Sequence, residues 1–371
     1  MACGAVVGAG PNPAPPAFEE RGPGRSPGGD AAGQGYARGM AGRFDPLTRA
    51  AVRGGRTDVP TGRGSTAGSG AEERRWTPGG PVDLGLTLGP LRRGPGDPTF
   101  RTTPDGSVWR TAHTPQGPAT LRVSRAGEQV HAEAWGPGAG WFLEQLPMLL
   151  GAGDDPAAFV PRHRLVHASH RRRPGLRLTR TGLVLESLIP TILEQKVTAD
   201  EAYRAWRRLV RQYGEPAPGP AGPELYVMPA PRTWAMIPSW DWHKAGVDAK
   251  RSATIVRAAR VANRLEEAAA MDLPEAVRRL EAVPGIGPWT SAETLQRSNG
   301  DPDAITTGDL HLPGIVGYAL AGDRDADDAA MLELLAPYAG QRHRAARLIL
   351  LAGRTPPRRA PRMPRGDIGR L

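Results

Sequence analysis

Cysteine, lysine and long apolar runs are scarce in this chain of 371 residues. Cys3 is the only cysteine, which excludes an intramolecular disulfide and any metal or iron–sulfur site built from cysteines alone. No run approaches the roughly 18 apolar residues of a membrane span. The N-terminus also lacks the basic and apolar regions of a secretory signal. These absences favour a soluble protein of the reducing cytoplasm that does not act at a membrane.

The charge is strongly positive, with a formal net value of +10. Almost all of the basic residues are arginines, since only Lys196, Lys244 and Lys250 are lysines. Such a surplus favours phosphate backbones or acidic surfaces as partners. A GC-rich genome would raise arginine, alanine, glycine and proline together and explains the composition equally well. Charge alone therefore does not decide between the two.

The chain divides by composition into four segments. Residues 1–75 are rich in glycine, proline, alanine and arginine, so we expect a disordered tail. Residues 76–160 alternate polar and apolar positions, which predicts a small antiparallel α+β domain. Residues 161–355 have helical spacing and predict a mostly α-helical domain, and residues 356–371 form a basic tail.

Particular elements follow from the same patterns. In the first domain the predicted strands and their covering helix are Ser107–His113, Ala119–Arg125, Gln129–Trp135 and Trp141–Leu150. In the second domain the helical segments are Leu183–Tyr213, Ala253–Ala270, Pro274–Glu281, Trp289–Arg297 and Ala329–Ala352. The first of these is expected to break near Pro190, and Pro216–Pro223 is expected to be a loop. The fold class is therefore α+β.

The most specific motif is the turn Val283-Pro-Gly-Ile-Gly-Pro288 between two helical segments. Gly285 and Gly287 permit positive φ angles and leave no Cβ in the way of a ligand. Pro288 suits the first turn of a helix. The amides of Gly285, Gly287 and Thr290 would then face outward as an anion site that holds a DNA phosphate without reading sequence. An ordinary helical hairpin with a glycine cap is the alternative.

This turn resembles the helix-hairpin-helix of the base-excision DNA glycosylase superfamily. In that superfamily an aspartate about twenty residues downstream is the catalytic carboxylate, and Asp309 in Thr-Thr-Gly-Asp309 takes its place. The segments Pro174–Leu178 and Ile192–Thr198 resemble the N3-methyladenine DNA glycosylase II family, which acts in alkylation repair. The resemblance implies a sheet-containing domain followed by a helix-hairpin-helix domain. It also implies an expected partner, double-stranded DNA that contains damaged bases.

Trp289 occupies the position at which strand-cleaving members of the superfamily carry a lysine, so the resemblance implies no AP-lyase activity. An aromatic ring there suits stacking on a flipped, cationic alkylated purine, although a core tryptophan is the alternative. For Asp309 the expected role is to stabilise positive charge on the sugar and to orient water. A helix N-cap after Gly308 is the other interpretation of Asp309. Asp301 and Asp303 are expected to be solvated loop residues.

Gln195 and Lys196 match the place from which the family inserts a side chain into the gap left by the flipped base. Lysine departs from the family's apolar wedge, so Lys196 would instead meet a phosphate or lie on a solvated face. The basic segment Arg162–Arg173 contains His163, His167 and His170, which leaves a DNA-facing surface, a metal site or plain exposure open.

We expect no cofactor, iron–sulfur cluster or metal bound by side chains. The family's hairpin resembles sites in which main-chain carbonyls hold a monovalent cation, here Na⁺ or K⁺ at Glu281, Val283 and Ile286.

Taken together, these features predict a monomeric, monofunctional glycosylase for alkylated purines such as N3-methyladenine and N7-methylguanine, acting at the nucleoid of a bacterial-type cytoplasm. A non-catalytic DNA clamp and a glycosylase for oxidised or deaminated bases are the alternatives. Asp309 and Trp289 favour the enzyme over the clamp, because a clamp requires neither residue.

Overall fold

The computed structural model describes residues 70–357, which form an antiparallel sheet followed by a helical region. The strands of the sheet are β1 (Glu72–Trp76), β2 (Phe100–Thr102), β3 (Val108–Thr114), β4 (Gly117–Ala126) and β5 (Gln129–Trp135). Their order in the sheet is β1-β5-β4-β3-β2, and every neighbouring pair is antiparallel. The predicted α+β class is confirmed. None of the described helices is long and apolar enough to cross a membrane.

Alternation along the strands creates the first core. Leu121 and Val123 of β4 and Val130 of β5 are fully buried, and they pack with apolar residues of α2 (Ala139–Leu149) that include Phe142 and Leu146. Because successive side chains point to opposite faces, this helix covers one face of the sheet. The predicted strands and the covering helix are therefore present; Gln129–Trp135 has the expected ends, and the other ends differ by one or two residues.

The opposite face of the sheet is covered by a loop from the helical region. Trp109 and Trp135 stack there at 5.5 Å, and they pack with Ala221 and Leu225. The loop also adds a two-residue pair of strands, β6 (Glu215–Pro216) and β7 (Tyr226–Val227). The segment predicted as a loop at Pro216–Pro223 thus buries the two tryptophans.

The helices of the structure are α1 (Leu84–Leu88), α2 (Ala139–Leu149), α3 (Arg164–Arg171), α4 (Val184–Leu193), α5 (Ala199–Tyr213), α6 (Pro231–Met236), α7 (Ser239–Lys244), α8 (Ala249–Arg260), α9 (Ala262–Glu266), α10 (Leu273–Glu281), α11 (Pro288–Ser298), α12 (Leu312–Ala321), α13 (Asp328–Leu335) and α14 (Arg342–Ala352). Helix α11 lies at the centre of this region. Every residue from Thr290 to Ser298 is buried, and α11 packs against α4 and α10.

Several sequence predictions were wrong in detail. The tail was expected to extend to residue 75, yet Glu72–Trp76 is a strand paired with β5; residues 1–69 of that predicted tail lie outside the described residues. The break in Leu183–Tyr213 lies between Leu193 and Ala199, and Pro190 is inside α4. Thr198 starts α5 with a capping box formed with Glu201, and this cap separates the two helices. The segments expected at 253–270 and 329–352 are likewise divided.

The predicted boundaries at residues 160 and 355 stay predictions. The basic tail expected at 356–371 falls outside the described residues from 358 onward.

Candidate active site and nucleic-acid interface

The hairpin turn joins the end of α10 to the start of α11. Gly285 has φ +101°, and a Cβ atom there would lie 2.1 Å from the Thr254 hydroxyl, so the position requires glycine. Gly287 is different. Its backbone is extended at φ −124° and ψ −175°, and no atom lies within 4 Å of its Cβ position. Of the two glycines that permit a positive φ, only Gly285 therefore uses it, and Gly287 leaves open space where a Cβ atom would be.

Three backbone amides of this turn lack an acceptor in the described part of the chain; Gly285 is exposed and Gly287 half-buried, whereas Thr290 is buried. Within residues 70–357, the N–H groups of Gly285, Gly287 and Thr290 donate to no other residue. Ile286 donates to the Val283 carbonyl at 3.0 Å, which closes the turn. These amides lie at the N-terminal end of an eleven-residue helix, where the helix dipole favours an anion. The phosphate-binding role stays a prediction.

Gln195 attaches the loop between α4 and α5 to the hairpin. Its amide donates to the Gly285 carbonyl at 3.0 Å and to the Thr290 hydroxyl at 2.9 Å. Lys196 follows it and is exposed. Its φ is +55°, and among residues 70–357 no other residue apart from glycines has a positive φ. Gln195 thus fixes the loop, and Lys196 is presented to solvent at its tip.

Asp309 and Trp289 lie in direct contact. The Trp289 indole N–H donates to Asp309 Oδ2 at 3.0 Å. The other carboxylate oxygen, Oδ1, accepts the backbone N–H groups of His311 and Leu312, each at 2.8 Å. The N-cap of α12 is His311, so Asp309 is not the cap that the second interpretation expected. Its Oδ1 instead accepts the N–H groups of the two residues at which the helix begins, and Oδ2 faces the half-buried tryptophan that follows the hairpin.

The segment that carries Asp309 is anchored to α11 by a buried polar network that the sequence analysis missed. The Thr306 hydroxyl donates to Glu293 Oε1 at 2.7 Å and accepts from the Gln296 amide at 2.7 Å. Gln296 also donates to the Ala304 carbonyl at 2.8 Å, and Arg297 pairs with Glu293 Oε2 at 2.9 Å. All of these side chains are buried, so their hydrogen bonds are costly to break.

A sequence signal for this network was present in α11. Its residues Thr-Ser-Ala-Glu-Thr-Leu-Gln-Arg-Ser contain little apolar material, yet the helix is enclosed on all sides. A helix of that composition is buried only when its polar groups find internal partners. A second anchor is Gly308, at φ +73°, whose N–H donates to Asp328 Oδ2 at 2.7 Å.

Asp301 and Asp303 are half-buried and hydrogen-bonded within the protein, whereas the sequence analysis expected solvated loop residues. Asp303 is paired with Arg342 at the start of α14. Burial would raise the pKa of Asp303, but the hydrogen bonds and charge of Arg342 outweigh it and hold the pKa below its usual value. Asp301 accepts the N–H groups of Asp303 and Ala304. Here burial dominates and raises the pKa above its usual value, despite those two bonds.

The three histidines of the basic segment have different surroundings and do not form a cluster. His163 Nδ1 lies 2.8 Å from the Tyr338 hydroxyl, His170 packs against Phe159, and His167 is exposed. Across residues 70–357, no group of three or more His, Cys, Asp or Glu side chains is arranged to hold a metal. The monovalent cation predicted at the hairpin carbonyls stays a prediction, as does the DNA-facing role of the basic segment.

No family model matches the chain. It is 31% identical over 170 residues to a protein of Mycobacterium tuberculosis described as a probable bifunctional transcriptional activator/DNA repair enzyme AlkA. That match covers 46% of this chain and 32% of the relative, so it spans about a third of the relative's length.

Solved structures share the fold across most of the chain. The 3-methyladenine DNA-glycosylase from Archaeoglobus fulgidus has a TM-score of 0.61 at 19% identity and covers 75% of this chain and 97% of its own. MBOgg1 in complex with a low-affinity DNA ligand has a TM-score of 0.62 at 17% identity, with 78% and 97% covered. An 8-oxoguanine glycosylase/lyase of Clostridium acetobutylicum bound to double-stranded DNA gives 0.61 at 13% identity, with 77% and 98% covered.

The fold is that of the helix-hairpin-helix DNA glycosylases. The resemblance predicted from the hairpin is therefore confirmed, because a DNA-repair relative named AlkA and a 3-methyladenine DNA-glycosylase are among the proteins that this chain is similar to.

Proposed function

We propose that this protein is a DNA-repair glycosylase that flips alkylated purines out of duplex DNA and hydrolyses their N-glycosidic bond. The observation that carries the proposal is the contact between Asp309 and Trp289 directly after the hairpin. A clamp that only bound phosphate would need the free amides of the hairpin. It would have no use for a carboxylate held at a fixed distance from an aromatic ring.

The carboxylate of Asp309 keeps capacity for a reacting group. A carboxylate offers about four lone-pair positions. Oδ1 uses two of them for the N–H groups of His311 and Leu312, and Oδ2 uses one for Trp289. One position on Oδ2 is left for a water molecule or for the anomeric carbon of a flipped nucleotide.

Alkylation of the purine at N3 or N7 makes hydrolysis possible with a single carboxylate. The modified purine is cationic and leaves readily, so a strong general acid is unnecessary. As the bond to C1′ breaks, positive charge develops on the sugar, and the negative charge of Asp309 stabilises it. The same oxygen then orients or deprotonates the water that attacks C1′. The base leaves as the neutral purine, and the DNA retains an abasic site.

The proposal includes the absence of lyase chemistry. Formation of a Schiff base requires an amine beside C1′, and by the resemblance Trp289 stands where strand-cleaving members of the superfamily carry that lysine. The MBOgg1 and Clostridium proteins share the fold at 17% and 13% identity, which leaves oxidised bases as the second candidate substrate class. The remaining alternative is the non-catalytic clamp. We place the protein, as a monomer, at the nucleoid of a bacterial-type cytoplasm.

Base release from defined duplexes tests the proposal. Duplexes with N3-methyladenine, N7-methylguanine, 8-oxoguanine, hypoxanthine or uracil are incubated separately, and released bases are measured by mass spectrometry. We expect release of the two methylated purines by the wild type and not by Asp309→Asn. Release of 8-oxoguanine alone would move the substrate class to oxidised bases. Binding without release of any base would favour the clamp.

A further inference from the structure

Exposed cations frame the tip of the hairpin on the side of α8. Lys250, Thr254 and Arg257 are spaced four and three residues apart, so they follow one side of that helix. Thr254 packs directly against Gly285, since its hydroxyl occupies the space that a Cβ atom at position 285 would need. Arg257 Nη1 donates to the Pro284 carbonyl at 3.3 Å. Lys250 and Arg257 therefore lie on either side of the contact between α8 and the turn.

Lys196, in the loop between α4 and α5, is the third cation of this region, and hydrogen bonds from two neighbouring side chains fix the position of its loop. Buried Arg251 donates to the Leu193 carbonyl at 2.8 Å, to the Gly246 carbonyl at 2.9 Å and to Asp248 at 2.6 Å. These bonds join the end of α4 to the start of α8. Gln195 joins the same loop to the hairpin, so Lys196 has a fixed position relative to the turn.

Two of the carboxylates near the tip are paired with buried arginines, and a third, Glu281, accepts the Ser291 hydroxyl at 2.7 Å. Glu194 is bound by Arg93 at 3.1 Å, and Asp248 is bound by Arg251. Lys196 and Lys250 are exposed, and no carboxylate among residues 70–357 pairs with either of them. Only three of the 48 basic residues in the chain are lysines, and two of the three lie at this tip. A lysine ammonium is a compact point charge well suited to a phosphate.

We propose that Lys196, Lys250 and Arg257 form, with the free amides of the hairpin, a continuous phosphate-binding surface for the backbone of duplex DNA. We call it the tip surface. The hairpin amides hold one phosphate, and the three cations hold phosphates that flank it. The surface carries no group aimed at base edges, so it binds all sequences alike. This inference rests on the proposed function for its ligand and adds the path of the DNA backbone across α8.

The salt dependence of binding to an undamaged duplex tests the tip surface. Each phosphate contact contributes about 0.9 to the slope of log affinity against log salt. Lys250→Ala should reduce the slope by about that amount, so its loss of affinity between 50 and 200 mM salt is roughly 3.5-fold smaller than that of the wild type. Lys196→Ala and Arg257→Ala should behave in the same way, and Lys250→Arg should retain the wild-type slope.

Arg75→Ala is the matched control, because it removes the same charge from an exposed position on edge strand β1. We expect its slope to equal that of the wild type. An equal change for Arg75→Ala and Lys250→Ala would show that affinity follows net charge, and it would overturn the tip surface. Wild-type slopes for all three tip variants would also overturn it. Circular dichroism and thermal melting of each exposed-site variant verify folding.

The two proposals fail in different ways. Binding to undamaged DNA does not depend on catalysis, so altered slopes without base release would retain the tip surface and reject the glycosylase. Normal release of N3-methyladenine with unaltered slopes would retain the glycosylase and reject the tip surface.

Discussion

Replacement of Asp309 by asparagine separates the two roles that the structure gives to this side chain. Asparagine retains an oxygen for the N–H groups of His311 and Leu312, and it is as good a helix cap as aspartate. Its amide nitrogen, however, would face the Trp289 indole N–H at 3.0 Å, donor against donor. A buried donor without an acceptor costs about 1–3 kcal/mol. Because Trp289 is only half-buried, we expect a loss of about 1 kcal/mol in the free energy of unfolding.

The expected effect on catalysis is much larger. Loss of the negative charge removes both the stabilisation of the sugar cation and the orientation of water, so excision should fall by about 10²–10⁴-fold. That range corresponds to about 3–5 kcal/mol in the activation barrier. DNA affinity should hold or rise, because a carboxylate near the backbone repels phosphate. Single-turnover release of N3-methyladenine, measured beside binding to a duplex with an abasic analogue, gives both quantities.

The double variant Trp289→Phe/Asp309→Asn is the control for the mismatched donors. Phenylalanine keeps an aromatic ring but has no N–H, so the double variant should regain stability without regaining excision. Trp289→Phe alone should retain more activity than Asp309→Asn, because the carboxylate is still present. Normal release by a folded Asp309→Asn protein would refute the catalytic assignment, and recovery of release in the double variant would show that the defect came from the donor clash.

Four further predictions concern the hairpin, the buried network of α11, the absence of lyase chemistry and a buried histidine of α14. Gly287→Leu should leave the fold intact, since nothing lies within 4 Å of its Cβ position; it should weaken binding to damaged and undamaged duplexes alike in a titration. Thr306→Val should lower single-turnover release by about ten-fold or more at unchanged DNA affinity, with rescue by Thr306→Ser. Thr294→Val is the control: it also removes a buried hydroxyl, but one that is bonded only within α11, and it should leave the rate of release unchanged. Borohydride should trap no adduct during turnover, because Trp289 replaces the nucleophilic lysine; a trapped adduct would contradict the hydrolytic mechanism. Burial, with the charges of nearby arginines, holds the pKa of His343 well below 6.5. Stability should therefore fall as the pH drops below about 6.5, where the unfolded chain takes up a proton that the folded chain does not. In urea unfolding this slope should flatten for a folded His343→Gln protein.

The sheet could be predicted where alternation extended over a whole strand. Gln129–Trp135 was predicted with its exact ends, because Val130, Ala132 and Ala134 alternate with polar residues. The strand Glu72–Trp76 was missed, since Glu-Glu-Arg-Arg-Trp has no alternation and follows a glycine-rich segment. Its pairing with β5 depends on long-range partners, among them the bond from Arg74 to the Leu143 carbonyl at 2.6 Å. A bond between residues so far apart in the chain cannot be predicted from the local sequence.

In the candidate site, too, the residues close together in sequence could be predicted and those joined over longer separations could not. The hairpin, Trp289 and Asp309 could be found because their types and spacing are local in sequence. The network of Glu293, Gln296 and Thr306 joins residues 10 and 13 positions apart in sequence, in a helix that has little apolar content. Polar residues at those positions would ordinarily predict a solvated surface. Only the packing of α11 shows that they face inward and hold the segment that leads to Asp309.

Helix α11 accounts for how one small motif could both hold DNA and present a carboxylate. The amides of Gly287 and Thr290 lie at its N-terminal end, that of Gly285 lies just before it, and Trp289 is its second residue. One turn further along, Glu293 anchors the loop of Asp309 through Thr306. A phosphate bound at the amides, the indole ring and the proposed catalytic oxygen of Asp309 would thus all be held in position by a single buried helix. Catalytic geometry tolerates errors of only about 0.5 Å, and sites on helices are more precise than sites on loops. The buried polar side chains of α11 are therefore best understood as the means by which a loop aspartate acquires the positional precision of a helix.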